Sequence, residues 1–221
     1  QIERLGGDLL RHYTGVPLVD RYAIYQHLQD YLDETMRDDF YLIAVDGWKA
    51  ETARIIEVDK KGKEKDKGWT CDLLPKSLVV AHYFAAEEAA LEALNADLES
   101  ASARKAELEE EQGGDEGAFA ELERINKANV NARLKELKGD PEGAEESEIL
   151  QAWLDAYNEE ANLKKEIKSA EADLDAAAYA QYPKLSVDEI KRLVVEDKWL
   201  ATLAAALQAE MERISQHLTQ G

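Results

Sequence analysis

Four prolines, none beside another, and twelve glycines that never stand two apart remove whole classes of chemistry from this 221-residue chain. No Gly-x-Gly turn is present to bring backbone amides against a cofactor, and no Pro-Pro pair occurs. The single cysteine, Cys71, excludes an internal disulfide framework and fits a reducing compartment. His12, His27, His82 and His217 are scattered, and none pairs with another His or Cys at metal-ligand spacing. No stretch approaches the roughly 20 apolar residues of a membrane span, and no charged-then-apolar leader opens the chain. Cations are in deficit too: 27 Lys and Arg against 47 Asp and Glu leave a net charge of -20. Such an excess repels phosphate backbones and anionic headgroups, so any DNA contact must be local and no membrane partner is expected. The chain reads as soluble and cytoplasmic. Opening at Gln1 without a Met and stopping at Gln220-Gly221 inside a helical pattern, it also reads as a segment of a longer protein.

What is present is charge and helical periodicity. A charged fraction of 33% and a mean hydropathy of -0.51 favour a small domain with an extended appendage over one compact core. From Leu18, apolar residues at Tyr22, Ile24, Tyr25, Leu28, Tyr31 and Leu32 predict a helix, N-capped by Asp20 and ending near Met36 to Asp39. Phe40 to Val45 is a β-favouring run closed by Asp46-Gly47. Runs at Arg54 to Val58 and Trp69 to Asp72 flank a lysine-rich loop, Lys60 to Gly68. Together they predict a small antiparallel meander on the first helix, with Trp48 and Trp69 as lids on its core.

Pro75 suits the first turn of a helix that nothing interrupts before Gly113-Gly114. Along it, positions 87, 91, 94, 98, 101, 105, 108 and 112 form a 4-3 ladder, filled by Leu91, Leu94, Leu98, Ala101 and Leu108 but not by Glu87, Lys105 or Gln112. A connecting region with short helices at Phe119 to Lys127 and Asn129 to Lys138 ends at Gly139-Asp140-Pro141. A second ladder follows: Trp153, Ala156, Glu160, Leu163, Ile167, Ala170, Leu174, Ala177. Its period of 3.5 is that of a seam between packed helices. Two such seams predict an antiparallel helical arm of about 30 residues a side, roughly 45 Å long at 1.5 Å per residue. The plainer alternative has both stripes facing a globular core.

Pro183 ends the second long helix, and Ser186-Val187-Asp188-Glu189 is a capping-box start for the next. Leu193, Val194, Trp199, Leu200, Leu203, Leu207, Met211, Ile214 and Leu218 give the last stretch a continuous apolar face. That face either docks on the first domain or packs against a partner.

The search for catalytic groups returns little. Cys71 reads as buried filler, and no Ser, Lys or Thr sits in a nucleophile motif. Gly113 to Gly117 carries acids that would repel a phosphate, so it reads as a helix stop. Two places depart from the acidic background: Lys60, Lys61, Lys63, Lys65 and Lys67 in one loop, and Arg124, Lys127, Arg133, Lys135 and Lys138 in the arm's connecting region. Each is either a hydrated surface or a contact to DNA phosphate within a larger assembly.

The phrases Val19-Asp20-Arg21-Tyr22-Ala23-Ile24-Tyr25-Gln26-His27-Leu28, Asp39 to Glu51 (DFYLIAVDGWKAE), Gly68 to Leu78 (GWTCDLLPKSL), Tyr182-Pro183-Lys184-Leu185 and Glu196-Asp197-Lys198-Trp199-Leu200 resemble the C-terminal part of the modification subunit of type I restriction-modification systems. The likeness runs nearly end to end. It implies a parent subunit that methylates an adenine amino group in DNA with S-adenosylmethionine, in a complex with a specificity subunit and a restriction subunit. That chemistry is carried by a Gly-rich cofactor loop and an Asn-Pro-Pro-aromatic motif, neither of which occurs here, so no catalytic or cofactor residue carries over and the chain alone is expected to be inactive.

The expected fold is therefore mostly α (α+β). A small helix-plus-hairpin domain covers residues 1–74, and a helical hairpin arm with a basic cap near 118–138 covers 75–182. A truncated C-terminal amphipathic helix covers 183–221. The expected role couples an absent methyltransferase domain to the specificity subunit, with a partner interface on Leu91, Leu94, Leu98, Leu108, Leu203, Leu207, Met211 and Ile214. The alternative is a standalone helical scaffold with no methyltransferase.

Overall fold

The computed structural model describes residues 7, 11, 14–15, 21–32, 36–114 and 116–219; the expected Asp20 cap lies outside them. The fold is mostly helical with one antiparallel hairpin. In chain order the elements are α1 (Arg21–Tyr31), α2 (Arg37–Asp46), β1 (Ala53–Val58), β2 (Glu64–Thr70), α3 (Lys76–Tyr83), α4 (Ala85–Gln112), α5 (Lys127–Glu136) and α6 (Ala144–Gln181). A 3₁₀ turn (Tyr182–Lys184), α7 (Val187–Arg192), a π-helical segment (Leu193–Leu200) and α8 (Ala201–Thr219) complete it. The chain divides into two compact units, Gln1–Tyr83 with Ala177–Gly221, and Phe84–Ala176. The last segment thus belongs with the first.

In the first unit, the run expected as a strand at Phe40 to Val45 is instead part of α2. A short apolar run does not distinguish strand from buried helix, and tertiary contacts decide. Asp38 and Asp39 lie in the first turn, where carboxylates complement the helix dipole. Helical spacing puts buried Asp39 on one face with half-buried Leu42 and Ile43, leaving Tyr41 and Val45 outside. Gly47, at φ +80°, stops the helix by donating its N–H to Ile43 O. The expected meander is a two-stranded hairpin, and its second strand begins at Glu64 rather than Trp69. Lys65 and Lys67 therefore stand on a strand and not in a loop.

The core of this unit gathers Ile24, Trp69, Cys71, Leu73, Leu74, Val79, Val80, Tyr182, Ile190, Leu193, Val194 and Trp199. Trp69 meets Tyr179 and Tyr182 edge-on at 5.3 and 5.1 Å between ring centroids, and the Tyr182 hydroxyl donates to Leu74 O at 2.8 Å. Trp48 is half-buried, 6.3 Å from the Trp199 ring. Pro183 ends α6 in the 3₁₀ turn, and the Ser186/Glu189 capping box forms with both reciprocal bonds.

The single helix expected from Pro75 to Gln112 is two, broken at Phe84 (φ -131°, ψ 29°). No Pro or Gly causes the break. It falls where burial passes from Val79 and Val80, in the first unit's core, to the ladder of the second unit.

In the second unit, α4 and α6 are antiparallel. Glu109 accepts from Trp153 Nε1 at 2.8 Å, while Arg104 meets Glu159 at 2.6 Å and Lys105 pairs with Glu160. From 91 to 112 and from 153 to 177 every ladder position is buried or half-buried. The far end is closed by a small core of Phe119, Val130, Leu137, Leu150, Trp153 and Leu154. Burying each such side chain contributes roughly 1.5–3 kcal/mol. The helix expected at Phe119 to Lys127 is a set of turns, and the cap helix starts at Lys127 because Asn126 accepts from the N–H groups of Ala128 and Asn129. Among the described residues no helix is long and apolar enough to cross a membrane.

Candidate functional site

Asp39, Leu73, Lys198 and Trp199 meet in one buried polar network in the first unit. Asp39 accepts from Lys198 Nζ at 2.8 Å through Oδ1 and from Trp199 Nε1 at 2.7 Å through Oδ2. Lys198 Nζ also donates to Leu73 O at 3.0 Å, and the Tyr31 hydroxyl donates to Lys198 O at 3.2 Å. Three stretches far apart in the chain, Tyr31 to Asp39, Leu73, and Lys198 with Trp199, are thereby tied together. The wide π-helical turn is what presents two consecutive side chains, Lys198 and Trp199, to one carboxylate. The Asp39 side chain is 4% exposed and that of Lys198 12%, so removing either would strand the other's charge.

The arrangement is a clamp rather than an acid–base pair, because both carboxylate oxygens are already engaged and no reactive group faces them. Among the described residues no buried side-chain nitrogen or oxygen lacks a partner, and no group of His, Cys, Asp and Glu is placed to hold a metal. A cleft of about 130 Å³ is lined by Leu42, Asp46, Gly47, Lys49, Glu51, Cys71, Asp72 and Leu73. Burial pushes the Cys71 thiol above its ordinary pKa, which keeps it protonated and a poor nucleophile.

The expected phosphate-contacting cations fall into two groups of different character. Lys60, Lys61, Lys63, Lys65 and Lys67 are all exposed on the β1–β2 hairpin. Its turn is held by Asp59, whose Oδ1 accepts from the N–H groups of Lys61 and Lys63 at 2.8 and 3.0 Å, and Gly62 takes φ +75°. Lys67 Nζ lies 3.1 Å from Glu57. In the arm's cap, Arg133 is bound to both oxygens of Glu146, at 2.6 and 3.1 Å, and reaches Glu136. Lys127 donates to Asn158 at 2.6 Å and lies over the Tyr157 ring. Those two cations hold the cap's fold, Arg133 half-buried and Lys127 exposed, and Arg124, Lys135 and Lys138 are exposed as well.

The residues expected at a partner interface are likewise divided. Leu91, Leu94 and Leu98 are half-buried on the arm's ladder, and Leu108 packs against the cap core. Beyond Trp199 the C-terminal face opens: Leu203 is half-buried, while Leu200 and Met211 are each 56% exposed. The side chains of Leu207 and Ile214 lie outside the described residues. Leu193, Val194 and Trp199 dock on the first unit's core, the first of the two options for this face, and α8 lies against α1 while Leu200 and Met211 stay exposed.

Sequence reasoning missed the Asp39–Lys198–Trp199 network. A carboxylate directly before an apolar run was the one available signal, and its partners stand 159 and 160 residues away. No protein family, no curated protein and no solved structure matches this chain.

Proposed function

We propose that this chain is the C-terminal segment of a type I modification subunit and that it couples the S-adenosylmethionine-dependent DNA adenine methyltransferase domain to the specificity subunit. The assembled complex also takes the restriction subunit, and DNA is met within that assembly. The observation that carries the reading is the convergence of the resembling phrases. Asp39 from one, Leu73 from a second and Lys198-Trp199 from a third share one buried hydrogen-bonded network, and Tyr182 from a fourth binds Leu74 beside it. Exposed Leu200, at the end of the π-helical segment, and Met211, on α8, supply apolar surface for a partner helix.

The test is co-expression with a type I specificity subunit. Replacing Leu200 and Met211 with Asp puts two charges on an already exposed face, so helical circular dichroism and melting are expected to stay unchanged while co-purification is lost. Undiminished assembly of the double variant would overturn the reading.

A further inference from the structure

The geometry points to the β1–β2 hairpin as a ribbon that enters the major groove of duplex DNA, with one lysine-bearing face against the phosphates. Every residue of β1 is exposed, as are the first four of β2, and Ile55, Ile56 and Val58 are 44%, 48% and 60% exposed. The sheet has only these two strands, so each keeps an unpaired edge. An uncovered two-stranded ribbon is only marginally stable alone and has the cross-section that the major groove, about 12 Å wide, admits.

Charge on this ribbon is sorted by face. Glu57 is opposite Lys65, Ile56 opposite Asp66 and Val58 opposite Glu64, and opposed residues share a face. In the paired register Lys65 shares a side with Glu57, while Glu64 and Asp66 lie on the other with Val58 and Ile56, where Arg54 lies 3.5 Å from Asp66. Lys67, beside the register shift, reaches Glu57 on the Lys65 side, and Lys60, Lys61 and Lys63 extend the positive surface into the turn around Asp59. Successive same-face strand positions repeat at about 6.7 Å. Cations clustered at that spacing suit the evenly spaced anions of a duplex strand. From Ala53 to Thr70 there are six basic and four acidic residues in a chain of net charge -20, a local positive excess that only the cap region near 118–138 shares among the stretches singled out in the sequence.

This inference rests on the proposed function only for the presence of DNA in the assembly, and its test needs no partner. The full chain, isotopically labelled, is titrated with a short duplex at low salt while its amide resonances are followed. Shifts are expected to be confined to the hairpin, Ala53 to Thr70. Charge reversal at Lys63, Lys65 and Lys67 together is expected to weaken them at least about tenfold, while the same change at Arg124, Lys135 and Lys138 leaves them intact. Shifts centred elsewhere, no shifts at all, or a reversal variant that titrates like the parent would each overturn the proposal. So would polyglutamate at equal charge producing the same shifts, since it offers anions without a groove. The reversal variant is also expected to co-purify with the specificity subunit like the parent, so a parent that assembles but gives no hairpin shifts, or a reversal variant that keeps them, counts against the ribbon alone, whereas hairpin shifts lost on reversal in a chain that does not co-purify count against the coupling role alone.

Discussion

The two units solve the same problem, burying charge within a largely apolar interior, in opposite ways. In the arm, Lys105 and Glu160 occupy rungs of two helical ladders and meet because the antiparallel register brings them together, with Lys164 one turn along on the same carboxylate. In the first unit, Asp39 and Lys198 belong to no repeat and meet only because the chain's last segment returns to the core. The first arrangement is local and periodic and serves register; the second is long-range and ties the fold's ends. Such pairs are weak evidence of net stabilisation, yet breaking either leaves an uncompensated charge.

The sharpest way to separate them is to remove one partner from each. Asp39→Ala strands Lys198 in the core and frees the Trp199 N–H, and is expected to cost about 3–5 kcal/mol, measured by denaturant unfolding followed through tryptophan fluorescence. A cost below about 1 kcal/mol would mean that water reaches the site. Leu150→Ala, at a fully buried position of the cap core, is expected to cost roughly 2–5 kcal/mol and to loosen the arm's end. Amide exchange should then accelerate across residues 119–154 and not across the Asp39 network.

Why the arm was legible and the first unit only partly so follows from these same residues. Leu98, Ala101, Leu163 and Ile167 announce their burial by spacing alone, and Ser186 with Glu189 announces a helix start by chemistry at fixed separation. Phe40 to Val45 announces only that it is apolar. Whether it became strand or helix depended on Asp39 finding Lys198 and Trp199, a contact with no local signature. The break at Phe84 was hidden for the same reason, because nothing in its own neighbourhood forbids a helix. The lysine alternation from 63 to 67 was visible as a cluster, but reading it as a face required the strand register.

Smaller effects refine the contrast. Ser186→Ala removes the capping-box acceptor for the Glu189 N–H and is expected to cost about 1 kcal/mol, read from thermal melting. Acid should act on the arm's pair. Hydrogen bonds from Lys105 and then Lys164 hold the Glu160 carboxyl below its ordinary value of 4.5. A depressed carboxylate contributes stability that is complete above its unfolded pKa and is lost as pH falls through the folded one. Glu160→Gln should therefore melt below the parent at neutral pH, with the gap closing as pH falls below about 4.5. A gap that persists unchanged into acid would show that the pair contributes nothing through charge.

The coupling role is tested most directly by hydrogen exchange on the full chain, alone and then with a type I specificity subunit. The expected result is new protection over α8, Ala201–Thr219, where the exposed apolar face continues past Trp199, with the hairpin from Ala53 to Asp66 unchanged until DNA is added. Protection that appears nowhere on the chain, or only in the cap between Phe119 and Leu154, would contradict the account.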